Sequence, residues 1–214
     1  MKWSTKKMAT VAVLCAMAMI VNQFIKFPIV PAVPFLQYDP KDILIVIGGF
    51  IFGPMVSFVM SGLCSVLEIF LRGGNILDVL MNMISTCSFV CPAAFIYQHI
   101  HTKKGATIGL FTGVISVTLA MTIWNYIVTP FYFQMPTEAV VAMLLPGIIP
   151  FNLIKASANA ILTLLIYKPI VKLFRKKHWV DHTYQSPINS GSVIAIVFVA
   201  ISSVIAVLIF KGVI

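Results

Sequence analysis

The sequence predicts an all-α integral membrane protein, and composition, run length and charge placement lead to this fold class. Of its 214 residues, 60% are hydrophobic and only 10% are charged, and the mean hydropathy is +1.01. A soluble domain of this size could not bury so much apolar surface. Several apolar runs have the length that a helix needs to cross a bilayer. We therefore expect a multi-pass helical protein of the cell membrane, surrounded by lipid.

The positive charge is concentrated in a few segments that flank apolar runs. The net charge is +9. The basic clusters are Lys2, Lys6 and Lys7; Lys103 and Lys104; and Lys172, Arg175, Lys176 and Lys177. This distribution follows the positive-inside rule, which places these segments and the N-terminus in the cytoplasm. The charge is thereby explained without nucleic acid, and we predict no nucleic-acid partner.

The first predicted span covers residues 8–24. It contains Ala12 and Ala16, a pair of small residues four positions apart. Such a pair lets a second helix approach closely. The pattern fits either packing within this chain or contact with a partner protein.

A proline-rich loop follows at residues 26–42 and should lie outside the membrane. Its repeated prolines exclude a regular helix. Because the loop carries apolar side chains, including Leu36 and Tyr38, we expect it to fold back onto the protein over a pocket. We predict that Asp39 caps the next helix and that Asp42 lies in its first turn, which makes both capping rather than catalytic residues.

The second span, residues 43–52, is short because Gly53 and Pro54 interrupt it. The third span covers residues 55–71. Glu68 and Arg72 are four positions apart in the favourable order, so we expect them to pair near the outer end. A proton-relay role for Glu68 is the alternative.

The fourth and fifth spans are predicted at residues 76–97 and 106–128. Asn75 and Asp78 resemble a capping box at the start of the fourth span. Trp124, in the fifth span, fits an interfacial aromatic belt. Three polar residues continue along this helix at helical spacing: Asn125, Thr129 and Tyr132.

The sixth span begins near residue 150, after a short outer segment, and runs to about residue 174. One face of this helix carries Asn152, Lys155 and Asn159. A lysine within such a span costs about 2.5–3.5 kcal/mol unless it finds water or a partner. A bound ligand is the simplest partner for Lys155.

A last apolar run at residues 193–210 is long enough for another crossing. We therefore predict three regions: residues 1–178 as a six-helix membrane domain, residues 179–192 as a cytoplasmic linker and residues 193–214 as an additional membrane helix. Seven crossings would place the C-terminus outside.

The sequence contains none of the familiar catalytic or metal-binding signatures. It has no Gly-x-x-x-x-Gly-Lys-Ser/Thr phosphate loop and no His-Glu-x-x-His zinc helix. All four histidines fall in predicted cytoplasmic loops, and the four cysteines lie in apolar runs. We expect no two carboxylates to occupy facing positions in the middle of the membrane. These features predict no catalytic residues, no bound metal and no enzyme activity.

Several segments resemble a known family. Residues 35–42 and 47–54 read FLQYDPKD and IGGFIFGP. They resemble the first loop and second helix of the substrate-binding S components of energy-coupling factor (ECF) vitamin transporters. The motifs WNY at residues 124–126, PFY at 130–132 and PFNLIK at 150–155 are similar to those of the riboflavin-specific members. The resemblance covers about residues 8–174.

The resemblance implies a bundle of six membrane helices that binds riboflavin near the outer face, under the first loop. It also implies a shared transmembrane coupling subunit, which Ala12 and Ala16 would contact, and two cytoplasmic ATPase subunits that bind ATP. No cofactor is implied. Asn125, Asn152 and Lys155 match the family's flavin contacts. Together with residues of the first loop and the other polar residues of the fifth and sixth spans, they form the predicted ligand site. It comprises Leu36, Tyr38, Asn125, Thr129, Tyr132, Asn152, Lys155 and Asn159. The predicted helix at residues 193–214 departs from the family pattern.

Three alternatives remain open from the sequence. One is an S component for folate, thiamine or pantothenate. Another is a structural or assembly protein, in which the polar residues of the fifth and sixth spans only form hydrogen bonds between its own helices. The third is a membrane enzyme. A yellow, fluorescent purified protein would distinguish riboflavin binding from all three.

Overall fold

A computed structural model describes residues 4–176, with side chains up to Phe174. The predicted linker at residues 179–192 and the extra helix at residues 193–214 lie outside the described residues. In chain order the helices are α1 (Thr5–Phe24), α2 (Lys41–Phe52), α3 (Pro54–Arg72), α4 (Ile76–His99), α5 (Lys103–Phe133), α6 (Thr137–Met143) and α7 (Ile149–Lys176). A π-helical turn, Leu144–Ile148, joins α6 to α7.

Five helical segments among the described residues are long and apolar enough to cross a membrane. They are α1, α3, α4, α5 and the continuous segment Thr137–Phe174, which includes α6, the π-helical turn and most of α7. Helices α1, α3 and α5 and the last segment expose many large apolar side chains, as helices facing lipid do, whereas α4 exposes only Ile76 and Leu77 among its large apolar residues. The prediction of an all-α membrane fold is therefore confirmed.

Helix α2 is the central element of the bundle. All twelve of its residues are buried, and it contacts α1, α3, α4 and α7. A helix that is apolar on every side is stable only when neighbours surround it. It ends at Gly53, whose φ of 92° favours glycine, and Pro54 begins α3. The short helix and the break at Gly53 and Pro54 were predicted correctly.

The starts of two helices test the capping predictions. At α4, Asn75 Oδ1 accepts hydrogen bonds from the backbone N–H groups of Leu77 and Asp78, and Asp78 Oδ2 accepts one from Asn75 N. This confirms the capping box. At α2 Asp42 lies in the first turn as predicted, but the prediction that Asp39 caps the helix is wrong, because Pro40 occupies the N-cap position and no side chain caps the helix. Asp39 instead forms ion pairs.

The predicted pair of Glu68 and Arg72 is also wrong. Arg72 Nη2 donates to the backbone carbonyl of Asn22 at 2.8 Å, and Arg72 Nε donates to Gln23 Oε1 at 3.1 Å. These bonds join the end of α3 to the end of α1. Glu68 faces the bundle interior and pairs with lysines from elsewhere in the chain.

Helices α4 and α5 form the most extensive helix pair, and glycines allow their close approach. A Cβ atom on Gly109 would lie 2.7 Å from the backbone oxygen of Ala93, and one on Gly113 would meet the backbone oxygen of Phe89. Small residues at such crossings are typical of membrane helix pairs. Residues of both helices, including Met81 and Met121, line the space under the first loop.

Candidate functional site

The first loop (residues 25–40) folds back over the helix bundle, as the sequence predicts. Two short strands, Phe27–Pro28 and Gln37–Tyr38, pair as an antiparallel hairpin. The loop packs its apolar side chains against α6 and α7 in a small core formed by Val33, Leu36, Val140, Ile148 and Phe151. The Phe35 ring lies 5.0 Å from the Phe133 ring at the end of α5. The loop thus covers the ends of α5 and α7.

Two adjoining cavities lie beneath this loop. The charged cavity has a volume of about 200 Å³, and its polar wall includes Lys26, Asp39, Glu68, Arg72, Asn152 and Lys155. The aromatic cavity has a volume of about 230 Å³, and its wall includes Trp124, Asn125, Val128, Thr129, Tyr132 and Phe133. Four residues line both: Phe35, Leu36, Asp78 and Met81. Together the cavities reach the size of small-molecule sites, which is about 300–1,000 Å³.

The structure brings six of the eight predicted site residues to these cavities. Leu36 lies on the wall between them; Asn152 and Lys155 line the charged cavity; Asn125, Thr129 and Tyr132 line the aromatic cavity. The first loop, α5 and α7 supply these side chains. Residues far apart in the chain therefore meet in one site.

Tyr38 and Asn159 do not line either cavity. Tyr38 Oη donates a hydrogen bond to Asn159 Oδ1 at 2.8 Å, and Asn159 Nδ2 donates to the backbone carbonyl of Asp39 at 3.3 Å. Asn159 is completely buried. These two residues fasten the end of the first loop to α7, so their contribution to a ligand site is indirect.

Asn125 and Asn152 are buried and held by their own helices. Nδ2 of each donates to the backbone carbonyl four residues earlier, at 2.7 Å for Asn125 and 2.8 Å for Asn152. Asn125 Oδ1 also accepts a hydrogen bond from Thr129 Oγ1 at 3.0 Å. A side-chain amide has two N–H donors and two acceptor lone pairs, so each retains bonding capacity toward a cavity. Their orientation is set before any ligand arrives.

Lys155 has protein partners. Its Nζ lies 2.9 Å from Asp39 Oδ1 and 3.7 Å from Asp42 Oδ2. The sequence predicts a bound ligand as the simplest partner of Lys155, but the structure shows that two carboxylates of the chain itself pair with it. Asp39 and Asp42 share this lysine, although the sequence predicts both only as capping residues.

The pairs extend into one buried ion network, which consists of Lys26, Asp39, Lys41, Asp42, Glu68 and Lys155. Lys41 Nζ lies 3.3 Å from Asp39 Oδ2 and also pairs with Glu68, which binds Lys26 at 2.6 Å. Three lysines and three carboxylates give a network without net charge. Ion pairs of this kind are tolerated in low-dielectric surroundings because each charge has a partner.

The charge of Asp39 is stabilised by its neighbours. Burial alone would raise the pKa of this carboxyl, but the nearby ammonium groups of Lys155 and Lys41 outweigh burial and hold the pKa well below its usual range. Asp39 therefore carries a negative charge at neutral pH. A charged Asp39 in turn keeps the Lys155 ammonium paired at the cavity.

The sequence reading missed part of the cavity wall. Asp78 is predicted only as a capping residue, yet it lines both cavities and its Oδ1 accepts a hydrogen bond from Tyr132 Oη at 2.9 Å. Trp124 fits a membrane-surface belt by sequence but is buried in the wall of the aromatic cavity. Neither a capping box nor an aromatic residue near a helix end indicates from the sequence that a cavity lies beside it.

The described polar groups are suited to binding a molecule. His99 and His101 are exposed at the opposite ends of α4 and α5 from Asp78 and Tyr132, and neither lines a cavity described here. Within residues 4–176, no group of three histidine, cysteine or acidic side chains is arranged to hold a metal ion. The cavities offer amides, paired charges and aromatic rings, which provide hydrogen bonds and ring contacts.

A separate apolar groove runs between α1 and α3. Its volume is about 490 Å³, and its lining residues are Met8, Val11, Ala12, Cys15, Ala16, Val59, Leu63 and Leu67. Ala12 and Ala16 are exposed there. No described helix covers the alanine pair, so packing among the described residues does not account for it. The groove has room for another helix or for lipid.

Comparison with known proteins identifies the family. Residues 6–167 match the family model of the ECF transporter substrate-specific component. The chain is 29% identical over 177 residues to the riboflavin transporter RibU of Staphylococcus aureus (strain TCH60), which covers 80% of this chain and 93% of that protein. It is 27% identical over 187 residues to the riboflavin transporter FmnP of Bacillus subtilis (strain 168), with 81% and 97% covered.

A solved structure agrees with the sequence comparisons. The fold superposes on the S component of a bacterial ECF transporter with a TM-score of 0.69 and 29% identity, covering 79% of this chain and 97% of that one. The match includes the helix bundle described above. The family consists of transport proteins that are not enzymes. This chain therefore belongs to the substrate-specific components of ECF transporters and is a multi-pass membrane protein.

Proposed function

We propose that this S component captures riboflavin in the two cavities beneath the first loop. The observation that carries the proposal is the convergence of Asn125, Asn152 and Lys155 on adjoining cavities covered by Leu36 and Phe35. Two relatives with 27–29% identity over most of their length are riboflavin transporters. The geometry supports a small-molecule site, and the relatives support riboflavin as its ligand.

The chemistry of riboflavin suits these cavities. Its flat ring system needs apolar or aromatic side chains on its faces, and Leu36, Trp124 and Tyr132 provide such surfaces. One ring edge carries both donors and acceptors, which side-chain amides can match in either sense. The ribityl hydroxyl groups can bond with the charged cavity, where Asn152 and Lys155 lie. Polar groups in a mostly apolar site provide the specificity.

We further propose how the chain is oriented and assembled. The N-terminus and the basic loop at residues 100–104 face the cytoplasm, and the cavities face the outside. The described helices form the substrate-binding domain. A transmembrane coupling subunit docks on Ala12 and Ala16. Two cytoplasmic ATPase subunits supply the energy of ATP hydrolysis.

A binding titration tests the proposed ligand. The full chain, purified in detergent after growth without riboflavin, should quench flavin fluorescence on binding at one site. Folate, thiamine and pantothenate should not compete. Direct binding of one of these vitamins, measured by calorimetry, together with absent flavin quenching, would replace riboflavin as the substrate. Absence of binding to any vitamin would remove the ligand site from these cavities.

Replacing Asn152 with alanine should weaken riboflavin binding by about 1–3 kcal/mol, because a buried ligand group loses its hydrogen-bond partner. The matched control is Asn22→Ala, which removes a buried amide from α1, away from both cavities. Fluorescence titration gives both affinities, and thermal unfolding verifies the fold. Equal affinities in the two variants would place Asn152 outside the ligand site.

The first loop should become more protected when riboflavin binds. Its apolar residues 31–38 then gain a ligand surface to cover, and loops that close over ligands exclude water in this way. Hydrogen exchange of this segment, measured with and without riboflavin, gives the change. Residues 108–116 in the middle of α5 serve as an internal reference. Identical exchange of the loop in both states would argue against its role as a lid.

A further inference from the structure

Asp39 connects the end of the first loop to the ligand cavity. It lies two residues before α2, and its Oδ1 is 2.9 Å from the Nζ of Lys155 on α7. Both side chains line the charged cavity. We infer that Asp39 is a positioning residue, which holds the Lys155 ammonium on the cavity wall so that it can donate to the ligand. This inference rests on the proposed function, because its effect is on riboflavin binding.

Lys155 needs such a partner because its side chain is long and flexible. An ammonium group on four rotatable carbons loses conformational entropy when a ligand fixes it. If Asp39 has already fixed the group, less entropy is lost on binding and affinity rises. Asp42 is a weaker partner, since its Oδ2 lies 3.7 Å from Lys155 Nζ. The shorter distance assigns the positioning role to Asp39.

Asp39 is itself fixed from the opposite side. Its second oxygen, Oδ2, lies 3.3 Å from Lys41 Nζ, and the Lys41 side chain is only 1% exposed. Glu68 holds Lys41, and Lys26 holds Glu68. The carboxylate is therefore clamped between two ammonium groups. Of these two, only Lys155 lines a cavity.

Two rival roles for the Asp39 side chain must be distinguished from positioning. The carboxylate could contact the ligand directly, since it lines the same cavity, or it could only hold the loop in place. The backbone already supplies a loop attachment, because the Asp39 carbonyl accepts a hydrogen bond from Asn159. A change confined to the side chain keeps that bond. A double-mutant cycle with Lys155 then separates the three roles.

The experiment measures riboflavin affinity in the full chain, in Asp39→Asn, in Lys155→Met and in the double variant. We expect each single variant to bind about tenfold or more weakly than the unchanged chain, because a charged contact is lost. The double variant should match Lys155→Met within about twofold, because Asp39 acts only through Lys155. Losses that multiply in the double variant would overturn the inference.

Further measurements keep the test decisive. If Asp39→Asn fails to fold, the comparison of Lys155→Met with the double variant remains, since the double variant keeps the ion network neutral. Asp42→Asn is the matched control and should weaken binding less than Asp39→Asn; an equal or larger loss would overturn the assignment to Asp39.

If the unchanged chain does not bind riboflavin, the proposed function fails and the inference fails with it. If it binds while the losses multiply, only the inference fails.

Discussion

Replacing Lys41 with methionine is expected to lower the free energy of unfolding by about 3–5 kcal/mol, because it leaves buried carboxylates without their shared cation. Lys41 is nearly fully buried and bridges Asp39 and Glu68. Methionine has a similar length, so the loss comes from charge rather than from volume. Equilibrium unfolding in mixed detergent micelles measures the difference.

A compensated variant tests the physical reason for this loss. In Lys41→Met with Glu68→Gln, one positive and one negative charge leave the network together, so its neutrality returns. Replacing both members of a buried pair is often close to neutral in stability. We therefore expect the double variant to regain most of the lost stability. Lys103→Met, at an exposed position, should change stability by less than about 0.5 kcal/mol. A Lys41→Met protein as stable as that control would mean that the network is not maintained in the membrane.

Features determined by neighbouring residues could be predicted from the sequence. Apolar run length predicted the long helices, and Gly53 with Pro54 predicted the break between α2 and α3. The capping box at Asn75 depends on residues only three positions apart, and the structure confirms it. The fold class and the family follow from such local patterns, since each restricts the chain where it occurs.

The ion network could not be predicted in this way, because its partners are distant in sequence. Lys41 and Glu68 are 27 positions apart, and Lys26 and Glu68 are 42 apart. Local spacing favoured Glu68 with Arg72, but the rotation of α3 turns Glu68 inward and Arg72 toward α1. Helix rotation depends on packing against neighbours, which the sequence of one helix does not specify.

The predicted polar stripe of α7 illustrates the same limit. Helical spacing correctly placed Asn152, Lys155 and Asn159 near one another. It could not show that the first two line a cavity while Asn159 bonds with Tyr38 of the first loop. The reach of the first loop decides between these environments. The spacing of polar residues on a helix therefore identifies candidate site residues. Tertiary contacts decide which of them line the ligand cavity and which hold the fold together.

Replacing Ala12 and Ala16 together with leucine should abolish riboflavin uptake into cells and leave riboflavin binding by the isolated protein unchanged. Both alanines are exposed in the apolar groove between α1 and α3, and neither lines the cavities beneath the loop. Leucine at both positions would fill the groove and prevent the close helix approach that small residues allow. We expect the coupling subunit to dock there, so its loss removes the link to ATP hydrolysis.

Uptake, recovery of the partner subunits in a pull-down and riboflavin titration are measured on the same variant. Ile108→Leu and Ile115→Leu together form the matched control, because both lie on the exposed surface of α5 and change no volume that a docking helix would need. The control should keep uptake, partner recovery and binding. Loss of binding along with uptake in the alanine variant would mean that its leucines disturb the bundle itself. Unchanged uptake would place the coupling contact on another surface, because a filled groove cannot accommodate a partner helix.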